Sequence, residues 1–177
     1  MHIKNSILLV LALVMTAFSS KIMAQATENT AAGAVIITPI SITETAALHF
    51  GVMSVLAGTP GTCVLSTLGV RTQTGGVNLS AQTPVATNAA YNVAGQASTT
   101  YALTLPATIT VTKAVTLETM TIGTLLARFN GAGADAVTST LAVGGTDSFT
   151  VGGTFTVAAA QVAGTYAGTF NVTVAYN

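Results

Sequence analysis

Gly164-Thr-Tyr-Ala-Gly-Thr-Phe-Asn-Val-Thr-Val-Ala-Tyr-Asn177 sorts its residues by parity. Even positions carry Gly164, Tyr166, Gly168, Phe170, Val172, Val174 and Tyr176, whereas odd positions carry only Thr, Ala and Asn. Side chains on a strand point alternately to its two faces, so this segment reads as a closing β-strand with one aliphatic and aromatic face and one small, polar face. Such a strand either completes a sandwich core or is presented to a partner strand. The thirteen residues from Gly164 to Tyr176 would span about 43 Å if fully extended, longer than most strands. A break near Gly168 is therefore expected, leaving Phe170 to Tyr176 as the strand proper.

The rest of the chain repeats this grammar of Thr-rich and β-branched runs punctuated by Gly, which predicts a sandwich or barrel of many short strands. Ala34 to Thr43 reads as a first strand, with Pro39 inside it arguing for an edge or a break. Leu48 to Gly51 is a short strand with Leu48 and Phe50 on one face, and Cys63 to Leu65 opens another. Arg71 to Thr74, Gly75-Gly76 and Val77 to Leu79 read as a two-residue hairpin, because paired glycines permit the positive φ of such turns. Ala89 to Ala94, Thr99 to Leu105, Ile109 to Val111 and Leu117 to Phe129 read as further strands, with a long turn at Asn130-Gly-Ala-Gly133. Val-Gly-Gly-Thr at 143–146 and again at 151–154 reads as hairpin, strand, hairpin. That spacing is too short for a solenoid unit and implies a meander. Ala158 to Ala163 reads as a turn or loop in preference to a helix.

The N-terminus follows a different logic. Lys4 precedes the apolar run Ile7 to Phe18, and Ala24-Gln25-Ala26 supplies small residues at a cleavage site. The run is shorter than the roughly 20 residues of a spanning helix, so residues 1–26 read as a secretory signal peptide, with an uncleaved anchor as the alternative. Residues 27–34 are small and polar and read as a flexible arm. Residues 35–177 are then one domain, long enough to bury roughly 68–70% of its unfolded surface.

After the signal, Arg71, Lys113 and Arg128 stand against Glu28, Glu44, Glu118, Asp135 and Asp147, a formal balance of −2. So few positive charges exclude the basic footprint of a nucleic-acid binder. Cys63 is the only cysteine, so no internal disulfide can form. It reads as a small buried apolar residue, the alternatives being an intermolecular bridge or an exposed thiol. His49 is the only histidine past the signal, which leaves no Ser-His-Asp set and no zinc-ligand cluster. Asp135 and Asp147 stand apart from other acids and resemble no calcium loop. No Trp is present to form a sugar-stacking platform. The expectation is therefore no catalytic residue, no cofactor and no metal.

Three segments carry a resemblance: Ile40-Ser-Ile-Thr-Glu-Thr-Ala-Ala-Leu-His-Phe-Gly51, Gly75-Gly-Val-Asn-Leu79, and Val151-Gly-Gly-Thr-Phe-Thr-Val157 with Gly164 to Asn177. In order and spacing they resemble the secreted bacterial family known as domain of unknown function 4402. More distantly they are similar to spore-coat-U-like and chaperone–usher pilin domains. The resemblance implies an immunoglobulin-like, pilin-like β-sandwich exported to the periplasm, outer surface or exterior of a Gram-negative bacterium. It also implies that Gly164 and Tyr176 mark a strand read by a periplasmic chaperone or usher. The absent disulfide departs from the pilin pattern, and so does an arm at 27–34 without alternating large apolar residues.

The expected function is a non-catalytic structural or adhesive surface subunit, fimbria-like, that associates with itself or a chaperone by β-strand addition. Its assembly face is expected to comprise Gly164, Phe170, Val172, Val174 and Tyr176. The alternatives are a monomeric immunoglobulin-like binding or adhesin module and a small outer-membrane β-barrel. Signal removal is directly testable: N-terminal sequencing of the envelope fraction should begin at Thr27 or Gln25, and an intact Met1 would refute it.

Overall fold

The computed structural model describes residues 25–177, so the expected signal peptide lies almost wholly outside the described residues. Residues 25–39 are exposed and carry no strand. The compact unit runs from Ile36 to Asn177. Its strands are, in chain order, β1 (Ser41–Ala46), β2 (His49–Phe50), β3 (Met53–Val55), β4 (Gly61–Leu65), β5 (Arg71–Gly75), β6 (Val77–Leu79), β7 (Ala86–Thr87), β8 (Ala89–Ala94), β9 (Thr100–Thr104), β10 (Thr108–Lys113), β11 (Thr119–Phe129), β12 (Thr138–Thr140), β13 (Thr146–Val157), β14 (Tyr166–Ala167) and β15 (Thr173–Tyr176).

The fold is an all-β, antiparallel sandwich. Its large sheet runs β1-β8-β13-β11-β10-β14, with β4 also paired to β13 and β5 outside β4. A small sheet, β12-β9-β15, and the pairs β2-β7 and β3-β6 make up the rest. The large sheet ends at β1 and β14 instead of closing on itself, so the strands do not form the barrel held as an alternative.

β13 is the spine. On one edge it pairs with β11; on the other, Thr146 to Val151 pair with β8 and Gly153 to Val157 pair with β4. β8 and β4 therefore meet end to end beside Gly152. A Cβ on Gly152 would overlap the Leu65 carbonyl oxygen, and one on Gly153 would come within 2.9 Å of Leu125 Cδ2. The handover is stitched by Asn88 Nδ2 donating to the Ser66 carbonyl and by Thr150 Oγ1 donating to that of Thr67 at 2.8 Å. Opposite Gly153, β11 carries a bulge between Gly123 and Leu126, with Thr124 at φ 48°. The extra residue shifts the inward phase from Met120 and Ile122 to Ala127 and Phe129, so both ends of β11 bury their apolar residues while Leu126, beside the bulge, is left exposed.

Two buried clusters lie either side of this point. One joins Tyr91, Val93, Tyr101, Leu103, Phe129, Phe149 and Val151; the other joins Phe50, Cys63, Leu65, Val77, Ile109, Val111, Met120, Ile122 and Val157. In the first, an aromatic chain crosses between the sheets: Tyr91 stacks on Phe149 at 5.1 Å, Phe149 meets Phe129 at 5.5 Å, and Phe129 meets Tyr101 edge-on at 5.7 Å. Edge-to-face and offset contacts of this kind suit the ring quadrupoles. The buried Tyr101 hydroxyl is satisfied by Asp147 Oδ2 at 2.9 Å, which also accepts from Ser139 Oγ at 2.6 Å, while Oδ1 accepts from the Ser148 amide at 2.7 Å. Burial, then the bond to Asp147, pushes the phenol far above its usual range.

Several expectations need correction. The first strand begins at Ser41, not Ala34, because Pro39 offers no amide and disfavours regular structure before it. Gly75-Gly76 is not a hairpin: β5 pairs with β4, while β6 pairs with β3. A Cβ on Gly75 would overlap the Pro60 carbonyl oxygen and one on Gly76 that of Thr59, so the glycines serve a close backbone crossing. The Val-Gly-Gly-Thr echo is no meander, since residues 151–154 lie inside β13. Ala158 to Ala163 is irregular, as expected.

Gly152→Ala should lose about 3 kcal/mol or more, because backbone, not a flexible side chain, occupies the Cβ position. Gly144→Ala, where a Cβ meets nothing within 4 Å, should stay within about 0.5 kcal/mol. Urea denaturation of both variants checks this, and equal midpoints would refute it.

Candidate functional site

The C-terminal segment is laid down in two pieces. Lys113 and Thr112 of β10 pair with Tyr166 and Ala167, after which the chain leaves the large sheet. A Cβ on Gly168 would overlap the Thr110 carbonyl oxygen, so the departure needs glycine there. Residues 168–172 carry no strand, and β15 then pairs Thr173 to Tyr176 with Thr104 to Tyr101 of β9. The break falls where the sequence placed it, but the strand proper starts at Thr173 and not at Phe170.

The parity rule holds for the large side chains: Tyr166, Phe170, Val172, Val174 and Tyr176 are half-buried, while the odd positions and the two glycines are exposed. Phe170, Val172, Val174 and Tyr176 pack against the first cluster, and Phe170 touches the second as well. Gly164 lies apart from this face, outside any strand, at φ 155° against the Lys113 side chain. The structure thus brings four of the five expected residues onto one surface.

That surface is unfinished. The inward residues of β8, β9 and β13 are largely buried, whereas all four on the C-terminal segment stay half-exposed, as do Ile40 and Ile42 at the start of the molecule's edge strand β1. β15 is the last strand of its sheet, so one main-chain edge carries no ladder partner among the described residues. At its end, Tyr176 Oη accepts from the Gln96 amide at 2.6 Å and donates to the Thr38 carbonyl at 2.8 Å. Gly95 gives that ring room, since a Cβ there would overlap the hydroxyl.

The other polar groups serve structure. His49 is exposed and its Nδ1 accepts from the Gly51 amide at 2.8 Å. Cys63 is fully buried, and burial pushes its thiol up. Arg71, which the sequence reading left without a role, donates to the carbonyls of Phe50 (2.9 Å), Val52 (3.2 Å) and Ser80 (2.6 Å), clamping the end of β2 and the residues after it to the chain just past β6. Asp135 Oδ1 accepts from Thr67 Oγ1 at 2.7 Å and Arg128 Nε at 3.0 Å, and the Thr67 bond, then Arg128, holds its carboxyl below the usual range. Among the described residues no three His, Cys, Asp or Glu gather as metal ligands. Among those residues, too, no helix is long and apolar enough to cross a membrane.

The family model described as "Domain of unknown function (DUF4402)" matches residues 40–176. The chain belongs to that family. The match opens at Ile40, beside β1, and closes at Tyr176, so the DUF4402 domain takes in both the edge strand and the half-buried C-terminal face. No curated protein matches the chain.

Opposite substitutions separate the two faces of this DUF4402 domain. Val172→Asp places a charge against the first cluster and should lower the melting temperature by many degrees, whereas Thr173→Asp should change stability by no more than about 0.5 kcal/mol. Tyr176→Phe keeps the ring but removes two hydrogen bonds, at a cost of about 1–3 kcal/mol. Thermal unfolding of the three variants checks this; equal melting temperatures for the two aspartate variants would overturn the assignment of faces.

Proposed function

We propose that this chain is a non-catalytic structural or adhesive subunit of the bacterial envelope or cell surface, exported by its signal peptide and fimbria-like in assembly. The observation that carries this reading is the unfinished C-terminal strand. β15 has a free main-chain edge, and Phe170, Val172, Val174 and Tyr176 beside it are half-buried. A strand added there would extend the ladder and remove apolar surface from water in one step, which is the physics of β-augmentation. A second copy, or a periplasmic chaperone or usher, is the partner such an edge fits.

A sequence feature supports self-association. Val35 and Ile36 are 90% and 97% exposed, and Ile37 is 45% exposed. Three consecutive β-branched residues outside any strand have the composition of a strand that could be added to a partner's edge. The arm's apolar part is thus residues 35–37, just past the polar stretch at 27–34.

The Tyr176 bridge to Thr38 and Gln96 favours a second reading, a monomeric binding or adhesin module. It ties the end of the strand down within the chain, as a self-complete domain would require.

Denaturing gels of the unboiled mature protein separate the two. The expected result is a ladder of multimers that collapses to monomer in Ile36→Asp, with the melting temperature of the monomer unchanged because Ile36 is exposed. A clean monomer at every protein concentration would leave the binding module as the better reading.

A further inference from the structure

The outer face of the large sheet carries a second, chemically different surface. Across β1, β8 and β13, the register aligns Thr43 with Asn92 and Ser148, and Ser41 with Ala94 and Thr146. These side chains point away from the core, because their neighbours Val93, Tyr91 and Phe149 are buried beneath them. Two depressions adjoin on this face, of about 620 Å³ and about 470 Å³, and Asn92, Asn130 and Ser148 line both. The small residues Ala90 and Ala94 leave the floor low.

We propose that this double trough binds a neutral, polyhydroxylated ligand, a surface saccharide. The chemistry of the lining carries the assignment. Asn92 and Asn130 are exposed, and within the described residues neither amide is spent on an internal hydrogen bond; Asn88, by contrast, is committed to Ser66. Each free amide offers two donors and one acceptor, and Thr43 and Ser148 add hydroxyls, a set that matches the paired donor and acceptor character of sugar hydroxyls.

Charge argues against other ligands. The only cation in the lining, Arg128, is paired with Asp135, and the only anion, Asp147, already accepts three hydrogen bonds. A phosphate or carboxylate would find no free counter-charge, and a cation no free carboxylate. Leu68, 68% exposed in the lining of the smaller depression, is its one exposed large apolar side chain and offers a contact for the C–H face of a ring. In a chain without Trp, hydrogen bonding takes the place of stacking. The site goes beyond the assembly reading and shares no residue with the C-terminal face, so either can fail alone.

The test is a titration of the isotope-labelled mature protein, followed by amide chemical shifts, with methyl glycosides of glucose, galactose, mannose and N-acetylglucosamine. Concentrations of tens of millimolar would populate a site of roughly millimolar Kd. At least one glycoside should give saturable shifts centred on Asn92, Asn130 and Ser148, unaffected by added salt. Asn92→Ala and Asn130→Ala should each weaken binding roughly five- to tenfold. Thr121→Ala, on the outer face but beyond the trough, should not. Both asparagines are exposed, and the dispersion of the same spectra reports whether each variant is folded. Absence of saturable shifts with all four glycosides would overturn the proposal. So would binding that survives the double Asn variant, or binding that salt abolishes.

Discussion

The close backbone approach at Gly152 and Gly153 is the constraint on which the sandwich depends. One long strand must serve two partners in succession on the same edge, and the ends of those partners, Leu65-Ser66 and Asn88-Ala89, must both reach it there. A side chain at Gly152 would occupy the position of the Leu65 carbonyl. On the far edge, the bulge at Thr124 absorbs one residue so that β11 stays in phase with β13 through the same zone. The two hydrophobic clusters are arranged around this crossing, and Leu125 packs against both. Removing glycine there would therefore disturb the large sheet at its centre, where no loop can yield.

Charge is scarce in this chain, and the structure uses much of it internally. Asp147 pins Tyr101 and Ser139 of the small sheet to β13, and Arg71 gathers the carbonyls of Phe50, Val52 and Ser80. Apart from Glu28, Glu44, Lys113 and Glu118, what remains outside is mostly hydroxyl and amide. On the outer face of the large sheet, Thr74, Thr62, Thr156, Thr121 and Thr110 fall in one register row across five strands, with Thr62 and Thr74 hydrogen-bonded at 2.7 Å. Threonine suits such a position twice over: its branched Cβ favours the strand and its hydroxyl remains wetted. A surface of this kind is neutral along its length, and it continues along β13 into the trough at Asn92 and Ser148. The molecule thus separates its apolar edge at β15 from its polar face, two surfaces of opposite chemistry on one small domain.

The parity of residues 164–177 was legible in the sequence and reappears as alternating burial, because the two-residue period of a strand is a property of the local chain. So was the all-β class, and so was the break at Gly168, where a long alternating run exceeds an ordinary strand. Paired glycines were misread for a physical reason. Gly75-Gly76 and Gly152-Gly153 look like turn formers, yet each serves a backbone crossing, and a glycine's lack of a side chain does not say which use is intended. The trough was illegible for a related reason: Asn92, Asn130 and Ser148 come from three separate segments, and only the register of β8, β13 and the turn after β11 sets them side by side. Alternation, punctuation and scarcity of charge were thus determined by the sequence alone, since they depend on each residue and its immediate neighbours. Which strand lies beside which, which glycine meets a carbonyl and which edge stays open were decided by tertiary structure, because those depend on contacts between residues far apart in the chain.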